Sequence, residues 1–264
     1  MPSLTSVAAL PRRDRFLIPI CILLITTLAW AYLFHLGRQM SSSAENEKMM
    51  AQMGMTIDMP WTATEVLFTF AMWAVMMVGM MAGTATPVLL LYGAAHARRS
   101  PRGAPLAVLI FGLGYVTVWT GFSACAALAQ WALHQASALS SAMAAASPRL
   151  AGSLLIAAGA YQLTPWKRAC LKHCRSPLGF LMTHWRDGRL GAFQMGLSHG
   201  AYCLGCCWAL MGLLFVVGVM NLVWVAALTG FVLLEKIGPA GAAVARAAGA
   251  ALLVIGIIFV AGIA

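Results

Sequence analysis

The sequence predicts an all-α, polytopic membrane bundle of about seven transmembrane helices, with the N-terminus inside. Three observations carry that prediction. Of the 264 residues, 61% are hydrophobic and only 9% charged, whereas soluble domains carry about 25% charged residues. Apolar runs near the length of a bilayer crossing recur along the chain; about 20 residues cover about 30 Å of hydrocarbon at about 1.5 Å per residue. The period-2 alternation of barrel strands is missing, so the spans are expected to be helices.

Taken in order, residues 1–15 form a basic cytoplasmic N-terminus with Arg12, Arg13 and Arg15, and 16–264 form a single transmembrane domain. The first helix is expected at about 16–36. A polar loop over 37–62 follows, carrying Glu45, Glu47 and Asp58. The second helix is placed at about 63–92, and a basic loop with Arg98, Arg99 and Arg102 separates it from the third at about 104–133. A Ser/Ala-rich loop leads to the fourth at about 149–163. Residues 164–189 read as a longer basic connection, TPWKRACLKHCRSPLGFLMTHWRDGR. The fifth helix is expected at about 190–217, Asn221 marks a tight turn into the sixth at about 222–236, and Gly238-Pro239 separates that from the seventh at about 241–264.

Lys and Arg concentrate in cytoplasmic loops of membrane proteins. With the N-terminus inside, only Arg38, Lys48 and Arg149 of the 17 Lys and Arg residues fall outside. The same asymmetry explains the net charge of +10. The charge lies in short loops on one side, which argues for a lipid bilayer as partner and against nucleic acid. The expected location is the bacterial inner membrane. No P-loop, HExxH, GxSxG or glycine-rich dinucleotide fingerprint is present, so an ATP-driven pump in one chain is not expected and an enzyme reading has no motif behind it.

The seven cysteines do not read as a disulfide framework, because their spacing is uneven and most lie in apolar runs. Three of them, Cys203, Cys206 and Cys207, crowd the stretch HGAYCLGCCWALM (199–211). On a helix at about 100° per residue, His199, Cys203 and Cys206 fall within about 60° of one another, with Cys207 at the edge of the stripe. Thiolates and an imidazole on one face suit a soft metal ion; the bland alternative is small apolar packing. Cys170 and Cys174 share a face in the 164–189 connection, with His173 beside them, and form a second soft pair without the full ligand complement of a structural zinc site. Methionines follow the same preference for Cu(I). Met49, Met50, Met53, Met55 and Met59 mark the first external loop, and Met77, Met80 and Met81 the second helix, where plain packing is an equal reading. Glu235, near the inner end of the sixth helix, is either a partner of Lys236 or Arg246, or a hard ligand or proton carrier.

The blocks MWAVMMVGMMAGTATP (72–87), YQLTPWKRACLKHCRSPLGF (161–180), GLSHGAYCLGCCWALM (196–211), MNLVWV (220–225) and LEKIGP (234–239) resemble the DUF2182 family, bacterial integral membrane proteins described as metal-binding. The resemblance covers the chain from about residue 60 onward. It implies metal binding, with Cys170, Cys174, His199, Cys203, Cys206 and Cys207 as ligand candidates, and leaves the ion open.

Together these readings place a soft-metal site in the inner half of the bundle, with Cu(I) favoured and zinc the alternative cofactor. Copper handling or transport is the expected function, with a membrane or periplasmic protein as a possible partner. Three rival readings stay open: a metal-containing assembly factor or subunit of a membrane complex, a thiol-redox membrane protein, and a subunit of a metal-dependent membrane oxidoreductase.

Overall fold

The computed structural model describes residues 12–53, 61–99, 103–139 and 144–262. The regular elements among them are helices: α1 Arg12–Gln52, α2 Ala63–Ala97, α3 Ala104–Gln135, α4 Pro148–Leu163, α5 Pro165–Arg175, α6 Pro177–His184, α7 Gly188–Gly212, α8 Leu214–Val217, α9 Leu222–Ile237 and α10 Gly241–Ala261. The all-α bundle expected from composition is the fold observed. Arg102, Met55 and Met59 lie outside the described residues.

Five stretches are long and apolar enough to cross a membrane: Arg13–Met40, Ala63–Ala97, Ala104–Gln135, Gly188–Val217 and Gly241–Ala261. The other two expected spans are present as α4 and α9, each of 16 residues. At about 1.5 Å per residue each is about 24 Å long, short of about 30 Å of hydrocarbon.

One expected loop and one expected connection contain helix. The loop placed at 37–62 begins as helix, since α1 runs on to Gln52. Ala, Glu, Lys, Met and Gln dominate its last turns, and all are strong helix formers. Polarity alone was therefore a poor guide to where the helix stops. The connection at 164–189 folds into α5 and α6. Thr164 ends α4 and caps α5, its hydroxyl accepting from the Lys167 amide at 3.2 Å. Pro165 and Pro177 each open a helix, the position where a missing N–H costs nothing.

Helices α2 and α7 form the interior. Trp73, Met76, Met77, Met80 and Met81 of α2 are buried with Met195, Cys203, Cys206 and Cys207 of α7. By contrast α1 turns Phe16, Leu23, Leu24 and Leu28 outward, as suits a helix against lipid. A polar tie crosses the core where Trp73 Nε1 donates to Gln130 Oε1 at 2.7 Å.

Close approach of α3 and α7 positions the site. A Cβ at Gly114 would strike the Phe193 carbonyl, and one at Gly196 would strike the Phe111 carbonyl. The backbones therefore touch, as in small-residue interfaces between membrane helices, where packing must replace the missing hydrophobic drive. That contact sets Tyr115 of α3 against Cys203 of α7.

Candidate metal centre

Helical spacing on α7 brings three sulfurs inward. Cys203, Cys206 and Cys207 are all buried. The thiols of Cys206 and Cys207 lie 3.1 and 2.8 Å from the Cys203 carbonyl oxygen, the expected back-bonding to a carbonyl one turn earlier. Cys203 has different company. Its Sγ receives the Lys236 ammonium at 2.8 Å and lies 3.0 Å from the Tyr115 hydroxyl. Lysine has no acceptor capacity, so in that pair the sulfur accepts.

The second helix supplying sulfur is α5, packed against α7. Cys174 Sγ lies 3.8 Å from Cys206 Sγ, and Cys174 also interacts with Cys203. Cys170 packs over Gly205, where an added Cβ would come within 2.8 Å of its sulfur. The bare glycine is what lets this thiol reach α7. Burial pushes the Cys170 thiol above its ordinary range, and the neighbouring Cys206 adds to it. The Cys174 thiol is pushed well up, first by hydrogen bonding to Cys203 and Cys206 and then by burial.

The 3.8 Å separation can be compared with ligand geometry. Two thiolates at about 2.3 Å from one ion are about 3.8 Å apart in a tetrahedral arrangement and about 4.6 Å apart in a linear one. Cys174 and Cys206 sit at the short end of that window. Among the described residues no three His, Cys, Asp or Glu side chains are already closed round a common point.

His199 lies one turn before Cys203, ringed by Phe111, Tyr115 and Phe180 at centroid distances of 6.1, 5.9 and 5.1 Å. It is almost wholly buried, and its Nδ1 has no hydrogen-bond partner. Buried polar atoms are normally paired, so this nitrogen is a spare donor or acceptor beside the sulfurs.

The remaining sequence candidates go elsewhere. His173 stacks on Tyr202, ring centroids 4.3 Å apart, and its Nδ1 bonds to the Ala169 carbonyl at 2.9 Å. Although it is next to Cys174 in the chain, its ring faces Tyr202 of α7 and not the sulfurs. Met77, Met80 and Met81 are core side chains, and the Met81 carbonyl accepts from the Tyr115 hydroxyl at 3.3 Å.

Glu235 finds a partner other than the two anticipated. Its carboxylate accepts from Lys167 at 2.8 and 3.1 Å and from Gln162 at 2.9 Å. Arg175 donates to its backbone carbonyl at 2.6 Å. Lys236 is unavailable to it because adjacent helical residues point about 100° apart, and Lys236 has turned to Cys203 and Thr84, the latter at 3.4 Å. One turn of α9 therefore anchors α5 with Glu235 and reaches into the thiols with Lys236.

Lys236, Tyr115 and Thr84 were not singled out from the sequence. Two ionisable residues side by side in an apolar helix were the available signal for Lys236. Nothing marked Tyr115, whose role comes from the Gly114–Gly196 contact beside it.

Thiols from two helices thus gather inside an all-α bundle with five stretches long and apolar enough to cross a membrane. Residues 70–259 match the model of the PpoB2 family, described as copper chaperone, and the chain belongs to that family. The match takes in the five blocks on which the DUF2182 resemblance rested. No curated protein and no solved structure was found to match the chain.

Proposed function

We propose that the protein handles Cu(I) within the bacterial inner membrane, receiving the ion in the thiol cluster and handing it on to a protein partner. The observation that carries this reading is the approach of Cys174 on α5 to Cys206 on α7 at 3.8 Å, beside a Cys203 sulfur that accepts from Lys236. Membership of a copper chaperone family supports the choice of ion. Thiolates select Cu(I) by softness, and zinc remains the competing ion for such ligands.

In this reading Cys203 and Cys206 are the principal ligands. Cys174 closes the site from α5, and Cys207 and His199 are reserve ligands on the buried side. Cys170, half-buried at the outer margin of the cluster, is the exchange ligand. Movement from Cys203 and Cys206 towards Cys174 and Cys170 would keep the ion on sulfur, its first step between helices being the 3.8 Å from Cys206 to Cys174. The methionines of α2 and of the α1 end contribute a softer path to and from the site. Whether the ion crosses the bilayer or is only stored and delivered depends on the partner.

The test is metal content. Purified protein reconstituted with Cu(I) is expected to hold about one ion per chain by mass spectrometry, and Cys203→Ser with Cys206→Ser is expected to abolish it. Full copper content in that double variant would sink the reading. The short Cys174–Cys206 distance also favours a second reading, a dithiol–disulfide couple. Thiol trapping separates the two. Protection of both thiols by Cu(I) supports ligation, and a reversible Cys174–Cys206 disulfide that copper leaves untouched supports redox cycling.

A further inference from the structure

We propose that the groove between α2 and α6 binds an anionic phospholipid of the inner leaflet, its phosphate on Arg98 and Arg99 and an acyl chain in the slot beneath. The proposal goes beyond the metal reading and does not depend on it.

The groove encloses about 410 Å³, within the range of about 300–1,000 Å³ typical of small-ligand sites. Its floor is apolar, built by Leu91 and Ala94 of α2 and Leu181 of α6, all buried. The sequence of α6 explains the wall. Leu178, Leu181, Met182 and Trp185 stand at i, i+3, i+4 and i+7, the spacing of one helical face. Leu181 is covered, whereas Leu178 and Met182 on the open side are 55% and 77% exposed.

The rim is basic. Arg98 and Arg99, at the end of α2, line the groove and are exposed. Arg99 is already positioned. Its guanidinium stacks 4.7 Å from the centre of the Trp185 ring, and its Nη1 donates to Asp187 at 2.7 Å. Trp185 Nε1 donates to the same carboxylate oxygen at 2.9 Å. One carboxylate thus fixes Arg99 and offsets one of the two charges. Among the described residues the ion pairs within 4 Å are Arg99–Asp187 and Lys167–Glu235, so no carboxylate serves Arg98.

Two guanidiniums above an apolar slot match a ligand that is anionic at one end and apolar along its length. A free phosphate would satisfy the rim and leave the slot wet. A neutral chain would fill the slot and leave the rim unmatched. With the N-terminus inside, the rim lies at the cytoplasmic edge, where basic pockets between membrane helices hold anionic headgroups. Trp185 at this level has the amphipathic ring of an interfacial residue. Leu91 lies about 10 Å below Arg98 along α2, which covers much of the depth of one leaflet, about 15 Å.

The experiment gives full-length protein in detergent equimolar phosphatidylglycerol and phosphatidylcholine with matched acyl chains, and reads retained lipid by native mass spectrometry. Wild type is expected to hold one phosphatidylglycerol with a preference of at least about tenfold, and Arg98→Gln with Arg99→Gln to fall within about twofold of no preference. Arg98→Gln alone breaks no ion pair and is expected to lower the preference by at least about threefold even where the double variant unfolds. Ala95→Phe fills the slot, keeps both guanidiniums, and is expected to lose the lipid. Arg168→Gln with Lys172→Gln removes the same charge from exposed positions on α5 and is expected to keep the preference. An equal fall in that control means diffuse attraction to a basic face and overturns the proposal. An unchanged preference in Arg98→Gln, or none in wild type, overturns it too. Glycerol phosphate, which has the headgroup without the chains, is expected not to displace the lipid at equal concentration; displacement would assign the rim to a free phosphate and overturn the lipid assignment.

Discussion

Replacing Glu235 with Gln should destabilise the bundle strongly, and removing Lys167 together with it should restore most of the loss. Both side chains are about 1% exposed, and the carboxylate binds the ammonium through both oxygens at 2.8 and 3.1 Å. A glutamine keeps one oxygen and turns an amide N–H₂ towards a Lys167 ammonium that has only protons to offer. The lysine is then left charged and buried, a defect that costs about 3–5 kcal/mol. At about 2–4 °C per kcal/mol for a chain of this size, the melting temperature should fall by about 6–20 °C. Replacing both residues by Met and Leu removes the two charges together, a change that is often neutral or stabilising, so Lys167→Met with Glu235→Leu should melt within a few degrees of wild type. Thermal unfolding in detergent measures both variants. The double variant also isolates chemistry from architecture. If Glu235 serves only to hold α5 in place, copper content should survive in the double variant. A stable double variant that has lost its copper would return Glu235 to the list of ligands, and a single Glu235→Gln variant as stable as wild type would refute the ion-pair argument itself.

Two further outcomes follow from the packing and from the side chains that leave the site. Gly196→Leu should prevent α3 and α7 from touching, so the variant should lose its fold or its copper in detergent, seen as early melting together with low metal content; a stable, copper-replete variant would contradict the placement of the helices. His173→Ala should keep its copper, because the ring stacks on Tyr202 away from the sulfurs, and equilibrium competition with a Cu(I) chelator should give a dissociation constant within about threefold of wild type.

The ends of the helices show where polarity misleads. Residues 41–52 are polar yet helical, because Ala, Glu, Met and Gln favour a helix wherever water can reach it. Hydropathy marks where a segment meets lipid and says little about where its backbone hydrogen bonds stop. The 164–189 stretch connects α4 to α7 as expected, but it does so as helix, which the spacing of Cys170 and Cys174 on one face already fitted.

The candidate site was legible where its residues are neighbours in the chain. Cys203, Cys206, Cys207 and His199 announce themselves by helical periodicity alone, since one turn of backbone fixes their relative direction. His173 illustrates the limit of that reasoning. Adjacency to Cys174 suggested a ligand, and the same adjacency turns its ring about 100° away.

From the sequence alone came the class of fold and a candidate chemistry: recurring apolar runs fit helices long enough to cross lipid, and sulfur crowded on one helical face suits a soft ion. Which helices meet was decided only in three dimensions. A glycine contact between α3 and α7 delivers Tyr115, a glycine at 205 admits Cys170, and one turn of α9 sends Glu235 to Lys167 and Lys236 to Cys203. Those choices depend on shape and on the pairing of buried charges between distant segments, and neither quantity is written in the local pattern of any one of them.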